Sequence, residues 1–495
     1  MIEHFAQETL DPADWQQMRQ LAHTMVDDMF AYLETVRERP TWQPLPAEVV
    51  AGFREPLPLE PQGIAHVYDQ FLTQVLPYPM GNIHPRFWGW YMGNGTVSGA
   101  MAEFLAAVMN SNLGGGYHAA MLVEQQVIDW LKEAMGFPAE AGGLLVSGGS
   151  MANLVGLTVA RNVKAGFDVR AEGLVGAQRS LIYYSSTEVH SSNQKAVELL
   201  GLGSGALRKI PVNDLYQIDI PALQAQIAAD RAAGLQPVCI IGNAGTINTG
   251  AVDDLPALAD LCEREGLWFH VDGAIGAVVA LAPDNRERVR GLERADSVAL
   301  DLHKWLHMPF EAGCVLVRDK QDQLSTFSLT PEYLVHGERG LNAGAEWFSD
   351  FGLQLSRTFR ALKVWMGFKE HGLRRYGRLI DRNIEQAAYL ARLIAAEPRL
   401  TLMAPVGLDI VCFRFDPGDL DDATLNRLND ELLTRIQEDG VAAPSSTTLH
   451  GRLCLRVAIA NYRTELPDFD LFIGRTLELG QDLMAEGFGQ GGAEA

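Results

Sequence analysis

Between residues 144 and 317, short apolar runs alternate with stretches of helical length. Leu144-Leu145-Val146, Leu181–Tyr184, Val238–Ile241, Trp268–Val271, Ser297–Leu300 and Cys314–Val317 read as strands, with a short extended piece at Leu207–Val212. Helical patterns begin near Met151 and near Ser192, and others cover Ile220–Ala233 and Leu255–Glu265. The strand runs are mostly apolar rather than alternating, so both faces of the sheet are covered. Strand–helix alternation of this kind predicts an α/β unit with a mostly parallel central sheet and helices on both faces.

The flanks have different patterns. Asp11-Pro12 suggests a helix cap followed by proline at the first helical position. From Trp15 to about Arg37, apolar residues recur at helical spacing, including Met18, Leu21, Met25, Met29 and Leu33. Prolines then punctuate Pro40 to Pro61. This region has no strand pattern and too few apolar residues for a core of its own, so it is expected to pack on another surface such as a second subunit. His84, Phe87, Trp88, Trp90 and Tyr91 make an aromatic stretch that suits either core packing or a pocket wall. Residues 99–110 read as a buried helix, Leu122–Met135 as another, and residues 320–345 as a mobile loop. A long helix starts at Phe359, and strand-like Ile410–Phe415 and Cys454–Ile459 then alternate with helices. The expected organisation is an N-terminal helical segment over 1–85, a large α/β domain over 86–375 and a small α+β domain over 376–495.

Composition narrows the function classes. Of 495 residues, 47% are hydrophobic, enough for a sizeable core. The formal net charge of −22 argues against non-specific binding to nucleic acid or to an anionic membrane. Cys239, Cys262, Cys314, Cys412 and Cys454 are scattered without C-x-x-C spacing, as expected of buried thiols in a reducing compartment. No apolar run approaches the roughly 20 residues of a membrane span. The Met1-Ile2-Glu3-His4 start is not the basic-then-apolar pattern of a secretory leader. The expected location is the cytoplasm.

The candidate chemistry lies where strands end. Asp272 closes an apolar strand, and Lys304, in His303-Lys304-Trp305, follows another 32 residues later. Both belong on the carboxyl edge of one sheet, where open α/β sheets bind ligands. A lysine that forms an imine and an aspartate that pairs with a pyridinium nitrogen are what pyridoxal 5'-phosphate (PLP) requires of a protein. Ala274 is small enough to sit against a flat ring, and His303 joins the cofactor set beside the lysine. Ser147-Gly148-Gly149-Ser150 lies between a strand and a helix, so it is either a phosphate cup or a tight turn. It is not a P-loop, because no G-K-[ST] follows. His190 follows a strand and precedes a helix, where its ring either covers a cofactor or bonds backbone. Thr246 either reaches the cofactor or closes its own turn. No cluster suggests a metal site.

With these residues in place, the chain resembles the group II PLP-dependent amino-acid decarboxylases, most closely the aromatic-L-amino-acid decarboxylases. The resemblance is carried by the serine/glycine turn, Val189-His190-Ser191-Ser192, His270-Val271-Asp272, Ala295-Asp296-Ser297, His303-Lys304-Trp305-Leu306 and Phe359-Arg360-Ala361-Leu362-Lys363. It implies a PLP-dependent transferase fold of type I and a homodimer with shared active sites, the N-terminal segment clasping the partner. It implies decarboxylation of an L-amino acid, aromatic by the Trp88, Trp90 and Tyr91 wall, through an imine at Lys304. Asp272 then matches the pyridinium partner, His190 the stacking histidine, and Ser147, Gly148 and Ser150 the phosphate turn. Tyr333, in Thr330-Pro331-Glu332-Tyr333-Leu334, matches a catalytic-loop tyrosine, and Arg456 a small-domain arginine near the site. Two departures stand out. Asp301-Leu302 occupies a place where the family often has Asn-Pro. An acid there repels phosphate, so Asp301 is expected to point elsewhere. Met92-Gly93-Asn94-Gly95 replaces a usual Pro-Thr, which bears on substrate choice. The rival readings are an aldehyde synthase of the same family, and an aminotransferase or C–S lyase on the same fold.

Overall fold

Five strand ends meet along one edge of a sheet, and this edge positions the site. The computed structural model describes residues 9–175, 177–329, 337, 339–343 and 346–488. In chain order the strands are β1 (Phe87–Trp88), β2 (Gly142–Val146), β3 (Leu181–Ser186), β4 (Leu207–Ile210), β5 (Gln236–Asn243), β6 (Trp268–Asp272), β7 (Ser297–Asp301), β8 (Gly313–Val317), β9 (Leu400–Leu402), β10 (Ile410–Phe415), β11 (Ala443–Leu449) and β12 (Arg452–Ala458). The larger sheet has the order β2-β8-β7-β6-β5-β3-β4. Strands β3 to β7 pair in parallel, while β8 runs antiparallel to both its neighbours. Strands β3, β6 and β7 are buried along their whole length, as their mostly apolar runs predict. The fold is the α/β architecture expected of fold type I.

Because β8 alone is reversed, β2 and β7 point the same way on either side of it. Val146 and Asp301 both pair with Gly313. A Cβ on Gly313 would lie 2.5 Å from Gly148 Cα, so this position admits only glycine if the turn after β2 is to close over the end of β7.

The second sheet has the order β1-β11-β12-β10-β9 and its own apolar core, built with the helices Leu373–Ala396, Asp422–Glu438 and Leu466–Ala485. Strand β1 pairs in parallel with β11, so Phe87 and Trp88 belong to the smaller sheet despite preceding the larger one in sequence.

Several elements differ from expectation. The first helix is Trp15–Glu34, capped by Asp14 and not Asp11: the Asp14 carboxylate accepts from Gln16 N at 2.8 Å and Gln17 N at 3.0 Å. This helix has no buried residue, which agrees with a segment that has no core of its own. The helix Val97–Met109 buries only Gly99 and Ala102 and exposes Phe104, Leu105, Val108 and Met109. A largely apolar sequence read as buried is here half uncovered within one chain. The stretch read as a loop from 320 starts with a helix, Lys320–Phe327, capped by Asp319. Its polar sequence hid the period. The helix expected from Phe359 begins at Ala361 and breaks at Gly372, whose φ of 71° favours glycine, before Leu373–Ala396 continues. Among the described residues no helix is long and apolar enough to cross a membrane.

Trp88 is a core residue and not a pocket wall. Its ring stacks on Phe469 at 5.1 Å and meets Phe472 edge-on at 5.3 Å. Truncating it leaves a large void, so Trp88→Ala is expected to cost about 3–5 kcal/mol. Thermal unfolding measures this, and an unchanged midpoint would contradict the assignment to the core.

Candidate active site

A cavity of about 430 Å³ opens at the carboxyl edge of the larger sheet. It is lined by Ser147, Gly148, Gly149 and Ser150 after β2, His190 after β3, Thr246 after β5, Asp272 and Ala274 from β6, and His303 and Lys304 after β7. These residues lie far apart in sequence but together in space because their strands are parallel neighbours, or, for β2, one reversed strand away.

Asp272 ends β6 and is nearly fully buried. Its Oδ2 accepts from Asn153 Nδ2 at 2.9 Å and Asn193 Nδ2 at 2.7 Å, and Oδ1 accepts from Ala274 N at 3.3 Å. Asn153 is itself fixed from behind. Trp268 Nε1 donates to Ser297 Oγ at 2.8 Å, and Ser297 Oγ lies 2.7 Å from His270 Nδ1. His270 Nε2 lies 2.9 Å from Asn153 Oδ1. The indole can only donate and the Asn153 amide nitrogen already donates to Asp272, so the order is determined. Ser297 donates to Nδ1, and the imidazole N–H at Nε2 donates to Asn153. Burial pushes the His270 pKa down to about 4 against the pull of Asp272, so the ring in this chain is neutral.

His190 caps the helix Ser191–Leu199. Its Nδ1 accepts from Ser192 N at 3.2 Å and lies 2.7 Å from Ser192 Oγ. The two readings of this residue, backbone cap and cavity wall, therefore hold together. Burial lowers its pKa, with Asp272 opposing. Thr246 likewise does both: Oγ1 accepts from Ala251 N at 3.1 Å while the residue lines the cavity.

Asp301 contradicts the expectation that it points away. Its Oδ1 accepts from Gly149 N at 2.6 Å, and Oδ2 lies 2.9 Å from Lys304 Nζ. The free N–H of a helix start is a strong donor beside a lysine ammonium, and together they outweigh the cost of burying the acid. His303 Nδ1 accepts from Ala312 N at 3.0 Å, and its ring packs on Phe310 at 4.5 Å. Burial lowers the His303 pKa, with Asp301 opposing.

The expected aromatic wall divides three ways. Tyr91 lines the cavity, donates to Asp409 Oδ2 at 2.6 Å and meets Trp305 edge-on. Trp88 lies in the small-sheet core. Trp90 lines a separate cleft with Trp42 and Phe87 and is 57% exposed. Arg456 does not line the cavity. It is buried behind it, donating from Nε to Ile247 O at 2.7 Å and from Nη1 to Trp90 O. Tyr333 and the stretch Thr330–Leu334 lie outside the described residues.

Sequence reasoning missed Asn153 and Asn193, and took Gly93 only as part of a departure bearing on substrate choice. Asn153 stands one turn into the helix that follows the serine/glycine turn, and Asn193 one turn past His190. Amides at that depth, aimed back at a strand-end acid, were the available signal. A Cβ on Gly93 would overlap His303 O, so the Met92–Gly95 departure permits close approach to the lysine loop. The remaining apolar lining is Met92, Met151, Ile247, Ile275 and Phe310.

The cavity fits PLP. A helix N-terminus with two flanking serines suits a phosphate, a buried carboxylate suits a ring nitrogen, a lysine suits an aldehyde, and Gly149 and Ala274 leave room for a flat ring. A Cβ on Gly149 would come within 2.9 Å of Asp301 Oδ2.

Comparison with known proteins agrees with this geometry. The pattern of the pyridoxal-dependent decarboxylase conserved domain matches residues 46–416. The chain is 34% identical over 458 residues to an aromatic-L-amino-acid decarboxylase of Bacillus atrophaeus, covering 91% of this chain and 92% of that protein. It is 29% identical over 480 residues to a phenylacetaldehyde synthase of Arabidopsis thaliana, covering 94% and 96%. A crystal structure of Oryza sativa TDC with PLP and tryptamine superposes with a TM-score of 0.88 at 25% identity, covering 96% of this chain and all of that one.

The neutral His270 has a measurable consequence. Unfolded, it titrates near 6.5; folded, near 4. The unfolded chain therefore binds the extra proton first as pH falls, and stability is lost between about pH 6.5 and pH 4. His84 and His307, pushed down to about 4 and about 3 by burial, add to the slope. The unfolding midpoint is expected to drop across this window, and to drop less steeply in His270→Gln. Equal slopes would show that His270 is not held neutral.

Proposed function

The chain belongs to the pyridoxal-dependent decarboxylase family, and from that premise we propose that this amino-acid decarboxylase acts on an aromatic L-amino acid. The observation that carries the assignment of roles is the convergence of Asp272, Lys304 and the Gly149 helix start on one cavity. The apolar lining of Tyr91, Met92, Ile247, Ile275 and Phe310 supports an aromatic substrate, as does the likeness to the Bacillus atrophaeus enzyme.

When bound, PLP supplies a conjugated ring that accepts the electron pair left as carbon dioxide departs. Lys304 holds it through its amine. Ser147, Gly148, Gly149 and Ser150 hold the phosphate. Asp272, kept in place by Asn153 and Asn193, would pair with the ring nitrogen and favour its protonated form. His190, Ala274, Thr246 and His303, which line the same cavity, would confine the ring. Arg456 acts as a positioning residue, since it fixes the Ile247 carbonyl and through it one wall. Tyr333 gives its phenolic proton to the substrate Cα after carbon dioxide leaves.

The site is proposed to be completed by a second copy of the chain. The uncovered apolar face of Val97–Met109 and the coreless helix Trp15–Glu34, which exposes Trp15, Val26 and Phe30, support a homodimer. Five buried, unpaired cysteines suit a reducing compartment such as the cytoplasm.

A panel of amino acids assayed for carbon dioxide release tests the substrate class. Phenylalanine, tyrosine or tryptophan is expected to exceed glutamate at least tenfold in kcat/KM, and a preference for glutamate would overturn the reading. In the same assay Tyr333→Phe is expected to slow amine formation roughly 10²-fold or more, the low end for a lost proton donor. The likeness to a phenylacetaldehyde synthase favours one further product, aldehyde formed with oxygen, appearing in that variant. Amine at the parent rate would exclude Tyr333 as donor.

A further inference from the structure

The carboxylate of Asp301 engages both groups that a phosphate-bearing aldehyde needs. One oxygen takes the Gly149 N–H at 2.6 Å and the other pairs with Lys304 Nζ at 2.9 Å. The residue is only 4% exposed, so this is not a surface contact. The charged and titratable groups around it come from each neighbouring element. Lys304 and His303, the latter with Nε2 at 3.6 Å from Oδ1, belong to its own loop. The helix Gly149–Lys164 presents its N-terminus. His190 on the next helix feels the Asp301 charge. Asp272 on β6 and Glu311 line the same cavity, and Lys363 acts on His303 from the helix Ala361–His371. Lys304 is the one cation beside this acid among the described residues that line the cavity, and its single charge does not offset both the carboxylate and an arriving phosphate.

Resting on the cofactor reading above, we propose that Asp301 makes cofactor loading proton-linked: the phosphate enters the Gly149 turn together with one proton, shared between its oxygen and the Asp301 carboxyl. A phosphate ester carries close to two negative charges at neutral pH. Set against a buried carboxylate, it meets a like charge at hydrogen-bond range, and one proton converts that repulsion into an O–H···O bond. In the free chain the Asp301 carboxyl takes the Gly149 N–H and pairs with Lys304, and the phosphate is in solution, close to a dianion. In the loaded chain the proton, taken from solvent, lies between them. No other bond changes. The carboxylate thus competes for the phosphate's donor, and the competition weakens as pH falls.

The test uses pyridoxine 5'-phosphate, which has the ring and the phosphate but no aldehyde, so that Lys304 chemistry does not enter. Calorimetry at pH 8 in buffers of different ionisation enthalpy counts protons. The full-length chain is expected to take up about one proton more with pyridoxine 5'-phosphate than with pyridoxine, which lacks the phosphate. Asp301→Asn is expected to lose that extra proton and to bind the phosphate ester at least tenfold more tightly at pH 8. The gap should narrow towards pH 6.5, while affinity for pyridoxine stays within threefold. Equal proton counts for the two ligands, or an Asp301→Asn affinity at or below that of the parent, overturns the proposal. The proton count needs no variant, so it decides even if Asp301→Asn does not fold. Failure of the cofactor reading would look different: neither protein would develop the absorbance of bound PLP at any concentration up to millimolar.

Discussion

Two carboxylates at the ends of neighbouring parallel strands set the terms for this structure. Asp272 closes β6 and Asp301 closes β7, and both are taken out of water. A buried carboxylate without donors costs several kcal/mol, so the surrounding elements are arranged to supply them. The helix Gly149–Lys164 gives the Gly149 N–H to one acid and the Asn153 amide to the other. The helix Ser191–Leu199 gives the Asn193 amide. The loop after β7 gives Lys304. Satisfying the two acids thus fixes where both helices begin and where the lysine points, and the cavity is the space left between them.

The network behind Asp272 extends this constraint into the sheet. Trp268, Ser297, His270 and Asn153 form a one-directional series of hydrogen bonds, with an indole that can only donate at one end and a carboxylate that can only accept at the other. Every member is used, which is the condition under which a buried polar network orders a site and does not weaken it. The neutral imidazole in the middle is therefore part of the positioning of Asp272, although it does not line the cavity.

Much of this was legible in the sequence. Strands that must be buried on both faces are written as mostly apolar runs, so β2, β3, β5, β6, β7 and β8 were found within two residues or so at their ends. The residues that follow those strands, Ser147, His190, Thr246, Asp272 and Lys304, were legible because a parallel sheet gathers strand ends on one edge. What depends on side-chain direction was not legible. Trp88 and Tyr91 are three residues apart, yet one fills the small-sheet core and the other the cavity, because β1 joins a sheet whose remaining strands lie more than 300 residues later. Asp301 was expected to avoid the phosphate turn on charge grounds alone. It faces the turn because Gly149 and Lys304 supply the donors, a balance that only the register of β7 against Gly313 reveals. The apolar helix Val97–Met109 reads as core in sequence and is uncovered in a single chain, which sequence periodicity does not distinguish from burial.

Lys304 is the amine placed to take the cofactor. The most direct measurement is to load the purified protein with PLP, reduce with borohydride, digest and locate the added mass. A single modified peptide with the phosphopyridoxyl group on Lys304 is the expected result. Modification of another lysine, or none, would contradict the central claim.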